Sequence, residues 1–347
     1  MTTTEPAQTE GPANAAEQFA ARAKSPVQRI QHVLHSNPWI SPLLVLIFGA
    51  VIFSLINPRF AQPQTISLMI QQVAVIAALA IGQTIVILTA GIDLSVGAIT
   101  VLAMMMSADL AANAGLPGIL AIIAGVAVGA LCGFLNGVLV TKIKLPPFIA
   151  TLGTLSIFTA ITLLYTKGTA FQESDLPSSM NWTGQTIAIG EFRITTGVLV
   201  VAVIAIVVAF ALSQTGWGRH IYAVGGDLEA SRLVGIRTNR VLLSAYIVAG
   251  IIYGLTAWVL IGRAGGASTN SIATANLDSI TAAVIGGTSL FGGRGGIAGT
   301  ILGALIVVSF RMGLSLAGVD DQWQVLAVGV LILVAVAIDQ WIRKVRA

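Results

Sequence analysis

Apolar runs long enough to cross a lipid bilayer recur along this chain from Pro38 onward and leave little room for anything else. A helix needs about 20 apolar residues to traverse the hydrocarbon core. Inside that core each backbone N–H and C=O must be satisfied within the segment, so the runs read as helices. Ten segments are marked: Pro38–Ile56, Ile66–Ala90, Val96–Ala111, Ile119–Val140, Phe148–Tyr165, Thr195–Leu212, Val241–Ile261, a short Leu277–Gly287, Ile297–Leu316 and Val325–Ile338. The expected fold is an all-α polytopic membrane protein with about ten transmembrane segments, some of them short or broken. Charged residues are only 9% of the chain, against roughly 25% in soluble domains.

Where the charges fall predicts sidedness, because Lys and Arg collect on the cytoplasmic side. With the N-terminus inside, Arg22, Lys24, Arg29, Lys142, Lys144, Arg219, Arg232, Arg237, Arg240, Arg294, Arg343, Lys344 and Arg346 fall inside. Arg59, Lys167, Arg193 and Arg263 fall outside, and Arg311 lies within a span. Both termini are then cytoplasmic, and the acidic loop with Glu173, Asp175 and Glu191 faces out. Trp323 and Trp341 would stand about 27 Å apart on a helix, matching the two interfacial belts. The net charge of +4 matters by location and carries no nucleic-acid signal. Residues 1–37 lack a signal-peptide core and are too polar to fold alone, so they read as a disordered cytoplasmic tail. His32 and His35 at its end read as solvated side chains. The single cysteine, Cys132, has no pairing partner and reads as packing.

Glycine is the second theme. Gly125, Gly129, Gly133 and Gly137 recur every four residues, as do Gly295, Gly299 and Gly303. Such a ladder lets another helix approach closely, either within the chain or from a second subunit. Glycines also flank a carboxylate in GIDLSVGA, Gly91–Ala98, between two apolar runs. The stretch GTSLFGG, Gly287–Gly293, echoes it, and duplicated broken segments are a transporter habit. Asp93 fits a helix N-cap, where a carboxylate accepts backbone N–H bonds. Contact with a permeating solute is the other reading.

Enzyme chemistry finds no foothold. The chain has no P-loop, no H-E-x-x-H and no G-x-S-x-G. His220, like the other two histidines, falls in a predicted cytoplasmic segment. Asp93, Asp109, Asp278 and Arg311 are the charges in or near spans. An ion-driven carrier needs such groups in mid-membrane, and Asp93 is the one placed for that role.

The longest predicted inside loop is GWGRHIYAVGGDLEASRLVGIRTNRV, Gly216–Val241. After the pair Gly225–Gly226 comes a short helix-like run with Asp227 and Glu229 in its first turn, then Arg232. Gly235 is placed to end it. Leu228, Leu233, Val234 and Ile236 supply an apolar set that lies on lipid or docks into a partner's groove.

Three segments carry a family resemblance: ILTAGIDLSVGA (Ile87–Ala98), GGDLEASRLVGI (Gly225–Ile236) and AAVIGGTSLFGGRGGIAGTILGA (Ala282–Ala304). In order and spacing they resemble the permease subunits of bacterial ABC-type sugar importers, a group that includes ribose, xylose, arabinose, galactose and fructose permeases. The resemblance covers about Pro38 to Ile342, and Phe310–Val345 looks most like fructose permeases. Glu229-Ala230-Ser231 with Gly235 is similar to the E-A-A-x-x-x-G pattern of ABC permeases. The resemblance implies a permease domain at 38–347 with a cytoplasmic coupling loop at 213–240, in the bacterial inner membrane. Gly225, Gly226, Asp227, Glu229, Ala230, Ser231, Arg232 and Gly235 would dock on a separate ABC ATPase. That partner would use the ATP, and this chain would bind no cofactor. A periplasmic sugar-binding protein, a second copy of the chain and membrane lipid are the other implied partners. Gly91, Asp93, Ser95 and Gly97 would form a broken-helix element in which glycines permit the break and Asp93 and Ser95 tie off freed backbone. Gly286, Gly287, Ser289, Gly292 and Gly293 would do the same in the second half. A self-contained secondary carrier coupled through Asp93 is the alternative.

Overall fold

A computed structural model describes residues 40–271, 274–330 and Leu333. The predicted tail at 1–37, with His32 and His35, and most of the last predicted segment, with Trp341, lie outside the described residues. Helices occupy the nine preceding segments: α1 Ile40–Ile56, α2 Pro63–Leu88, α3 Val96–Ala112, α4 Gly118–Thr141, α5 Pro147–Thr166, α7 Thr196–Gln214, α10 Thr238–Ala264, α11 Ala275–Ile285 and α12 Ile297–Leu316. The short α6 is Ser178–Asn181, and α8 (Gly216–Gly226) and α9 (Leu228–Leu233) lie between α7 and α10. A further helix starts at 321. Among the described residues, six helices are by themselves long and apolar enough to cross a membrane: α2, α4, α5, α7, α10 and α12. The ten predicted segments are thus uneven, since α1, α3 and α11 are shorter.

Burial sorts these helices by role. A helix apolar all round belongs inside a bundle, and α2 is buried at every residue from Ala77 to Leu88. It packs against α10, α12, α11 and α7. By contrast α4, α5 and α7 expose large side chains such as Ile119, Leu164 and Ile206 along one face, which suits lipid.

Between apolar helices in lipid, close packing replaces the hydrophobic drive. The first glycine ladder serves this inside the chain. A side chain at Gly129 would strike the backbone of Gly250 and Gly254 on α10, and one at Gly133 that of Tyr246 and Gly250. The second ladder does likewise, with Gly299 against Gly286 and Gly303 against Ala282. α1 is held on α12 by an edge-on Phe53–Phe310 pair at 5.3 Å and by the bond from Asn57 Nδ2 to the Leu316 carbonyl at 2.8 Å.

The bundle has two distinct ends. One carries α8, α9 and the 142–146 and 286–296 loops. The other carries the acidic loop, which contains strands absent from the sequence reading. β2 (Thr186–Ile189) and β3 (Phe192–Thr195) form a hairpin, and β1 (Phe171–Gln172) pairs antiparallel with β4 (Gly266–Ala267). Arg193 N donates to Ser67 Oγ at 2.9 Å, fastening the hairpin to the start of α2.

Candidate functional site

The first break runs from Thr89 to Ser95, between α2 and α3. Its left-handed residue is Ala90, at φ 60°, and neither expected glycine has positive φ. This corrects the expected role of Gly91 and Gly97. Gly91 is needed for close approach, because a Cβ there would lie 3.0 Å from the Tyr246 hydroxyl. Gly97 sits inside α3, and its N–H, free in the first turn, donates to Asn276 Oδ1 at 2.7 Å.

Asp93 does not occupy the N-cap position either; Ser95 does, without a side-chain capping bond of its own. The carboxylate instead closes the turn before the helix. Asp93 Oδ1 accepts from Ser95 N at 2.8 Å and from Ser95 Oγ at 2.6 Å. Freed backbone is satisfied from several helices at once. Thr151 Oγ1 donates to the Ile92 carbonyl at 2.9 Å and lies 3.1 Å from Leu94 N. In the amide orientation that satisfies both groups, Gln83 donates to Asp93 O at 3.0 Å and accepts from Asp93 N at 3.2 Å. Asn136 Nδ2 donates to Ser95 Oγ at 2.8 Å, and Thr154 Oγ1 to Asn136 Oδ1 at 2.7 Å. A chain of buried polar groups therefore holds the break open and ordered. The sequence reading found Asp93 and Ser95 but missed Gln83, Asn136, Thr151 and Thr154. Cys132 is buried nearby, as the packing reading expects.

The second break, between α11 and α12, does rely on glycine conformation. Gly287, Gly292 and Gly293 have φ of 89°, 84° and 70°. Ser289 N donates to the Arg294 carbonyl at 2.9 Å and Gly292 N to the Ser289 carbonyl at 3.0 Å, closing a compact loop. Gly286 packs directly on the Gly299 backbone.

The two breaks touch, and the coupling segment touches both. Gly293 N donates to the Leu88 carbonyl at 3.0 Å, joining the end of α2 to the glycine-rich loop. Gly225, the buried penultimate residue of α8, lies on the same Leu88 carbonyl, and a Cβ there would also come within 2.8 Å of Gly293 N. Gly292 packs against the Gly225 carbonyl and Ala90. Tyr222 donates its hydroxyl to the Gly295 carbonyl at 2.9 Å, and burial raises its phenol pKa, which keeps that donor protonated. The three segments singled out in the sequence thus meet at one point.

Beyond this junction the chain is open. Gly225–Gly226 ends helix α8, in a stretch where the sequence predicts a loop, and Asp227 is the N-cap of α9 rather than part of its first turn. Asp227 Oδ1 accepts from Ala230 N at 2.9 Å. Ser231 is buried, whereas Glu229, Ala230 and Arg232 are exposed. Gly235, at φ 89°, turns the chain after the helix. Leu233 is 86% and Val234 77% exposed, so an apolar ridge faces outward, flanked by charge.

Asp278 and Arg311, read separately in the sequence, form a two-pronged ion pair. Arg311 Nη2 meets Asp278 Oδ1 at 2.6 Å and Nη1 meets Oδ2 at 2.8 Å. Among the described residues no cluster of His, Cys, Asp and Glu could hold a metal ion.

The family model described as "branched-chain amino acid transport system / permease component" matches residues 65–336. The chain is 46% identical to the fructose import permease protein FrcC of Rhizobium meliloti, over 95% of this chain and 92% of that protein. It is 39% identical to the ribose import permease protein RbsC of Bacillus subtilis, over 87% of this chain and 92% of that one. It is also 31% identical to the autoinducer 2 import system permease protein LsrC of Escherichia coli, over 89% of each. No solved structure matches the chain.

Proposed function

This chain belongs to the branched-chain amino acid transport system / permease component family, and from that premise we infer that it is the membrane subunit of an ATP-driven sugar importer. The resemblance drawn from its three segments holds, and the chain is a multi-pass inner-membrane permease similar to the fructose and ribose permeases. On this reading it passes a monosaccharide, fructose before ribose or a related sugar, from a periplasmic binding protein into the cytoplasm. A separate ABC ATPase hydrolyses the ATP, and two copies of this chain form the passage.

One observation supports the coupling most: Gly225 touches the Leu88 carbonyl and approaches Gly293 N, so α8 bears on both breaks together. The exposed ridge of Leu228, Leu233 and Val234 fills a groove on the ATPase, and Glu229 and Arg232 set its orientation. Movement of the docked ridge passes through α8 to the ends of α2 and α11. The α8 end is then cytoplasmic and the hairpin end periplasmic. The Asp93 carboxylate is engaged in closing a turn, which speaks for structure rather than for ion coupling.

The test is uptake of labelled fructose and ribose, assayed separately, in cells deleted for this gene. Wild type should restore one of them. Glu229→Arg, at equal membrane abundance, should lower uptake about tenfold, equivalent to about 1.4 kcal/mol of docking. Full rescue by Glu229→Arg, or uptake persisting without the ATPase, would favour the self-contained carrier.

A further inference from the structure

The Asp278–Arg311 pair takes no part in the junction at Gly225. A guanidinium within a transmembrane helix is costly, and such groups face a bundle interior or a water-filled passage. Asp278 is nearly closed off, with a side chain 3% exposed, but that of Arg311 is 23% exposed. Neighbouring groups extend the polar surface. Thr274 Oγ1 donates to Asp278 Oδ2 at 2.9 Å and receives Arg311 Nη1 at 3.3 Å. Asn276 anchors the same turn to α3 through the Gly97 N–H. Helix α11 has 11 residues, about 16 Å, roughly half the hydrocarbon thickness. Its Thr274–Asp278 end is therefore set within the bundle against the first turn of α3.

We propose that Thr274, Asn276, Asp278 and Arg311 line the solute passage and hydrogen-bond the hydroxyls of a neutral polyol. The inference rests on the importer reading and adds the residues that meet the solute. A guanidinium held by a carboxylate in two-pronged contact offers directed donors with no net charge. That combination suits an uncharged, hydroxyl-rich molecule and gives little hold on an anion. The open side of Arg311 then faces water and solute, so the cost of exposing it to lipid does not arise.

Cysteine accessibility tests this in intact cells carrying the whole transporter. Cys132, buried and unpaired, is first replaced by Ala. Thr274→Cys is compared with Leu277→Cys, a 52% exposed apolar position on the same helix. A membrane-impermeant methanethiosulfonate should modify Thr274→Cys about tenfold faster, because a hydrated thiolate attacks its sulfur and expels sulfinate, whereas an apolar setting suppresses thiol ionisation. Transported sugar should slow that reaction. In addition, Thr274→Val should raise the KM for the sugar that wild type imports, whereas Glu229→Arg lowers the maximal uptake rate. If Thr274→Cys reacts no faster than Leu277→Cys, or sugar leaves its rate unchanged while wild type imports sugar, this inference alone is overturned. If wild type imports no sugar, the importer reading falls, and the polyol assignment with it.

Discussion

A carboxylate buried in a helix bundle must be matched by a cation or by donors, since an unmatched charge there costs several kcal/mol. The chain uses both solutions. Asp278 takes Arg311, and Asp93 takes the N–H and hydroxyl of Ser95. The two make opposite demands on substitution. Asp93→Asn keeps an oxygen for Ser95, so sugar uptake should stay within about twofold of wild type if the residue closes a turn. Asp93→Ala leaves both donors unpaired and should cost about 1–3 kcal/mol, read as a lower unfolding temperature in detergent. Loss of uptake in a stable Asp93→Asn protein would instead point to a role for the charge. Asp93 stood out in the sequence because it interrupts apolar runs between glycines. Its supporting groups did not, because Asn136, Thr151 and Thr154 are isolated polar residues within spans. The Asp278–Arg311 pair joins separate segments that no local pattern connects.

Helices were the most legible elements, since a bilayer dictates both their length and their composition. The predicted and observed limits of α12 coincide at Ile297–Leu316. Helix α8 was not legible: its GWGRHIYAVGG carries four glycines, which argue against helix by propensity, and packing on α7 and α10 overrides that. The hairpin at 186–195 was hidden in a polar loop with no span-like signal. Propensity also says nothing about which of two adjacent glycines matters. At Gly225 an added methyl has no room beside the Leu88 carbonyl, while at Gly226 nothing lies within 4 Å. Gly225→Ala should lower uptake about tenfold or more through steric strain at the junction. Gly226→Ala should be close to wild type. Equal behaviour of the two variants, at matched membrane abundance, would remove the junction from the coupling path.

At the scale of the whole molecule, the proposed topology puts the α8 end in the cytoplasm and the hairpin end in the periplasm, as the positive-inside pattern predicts. In a Cys132→Ala background, Glu191→Cys on the hairpin should react with an impermeant reagent in intact cells. Asn239→Cys, exposed at the start of α10, should react after the membrane is permeabilised. The reverse pattern would overturn the proposed sidedness. The contact between the breaks also bears on how the protein is made. Chains fold from the N-terminus during synthesis, and the Leu88 carbonyl is inserted long before its partner Gly293 exists. The first-made part of the chain can pack Gly225 on that carbonyl, but the N–H that bonds to it comes only with the glycine-rich loop. Completion of the junction is therefore a late event in biogenesis, and a nascent chain ending before Gly293 holds an unfinished latch.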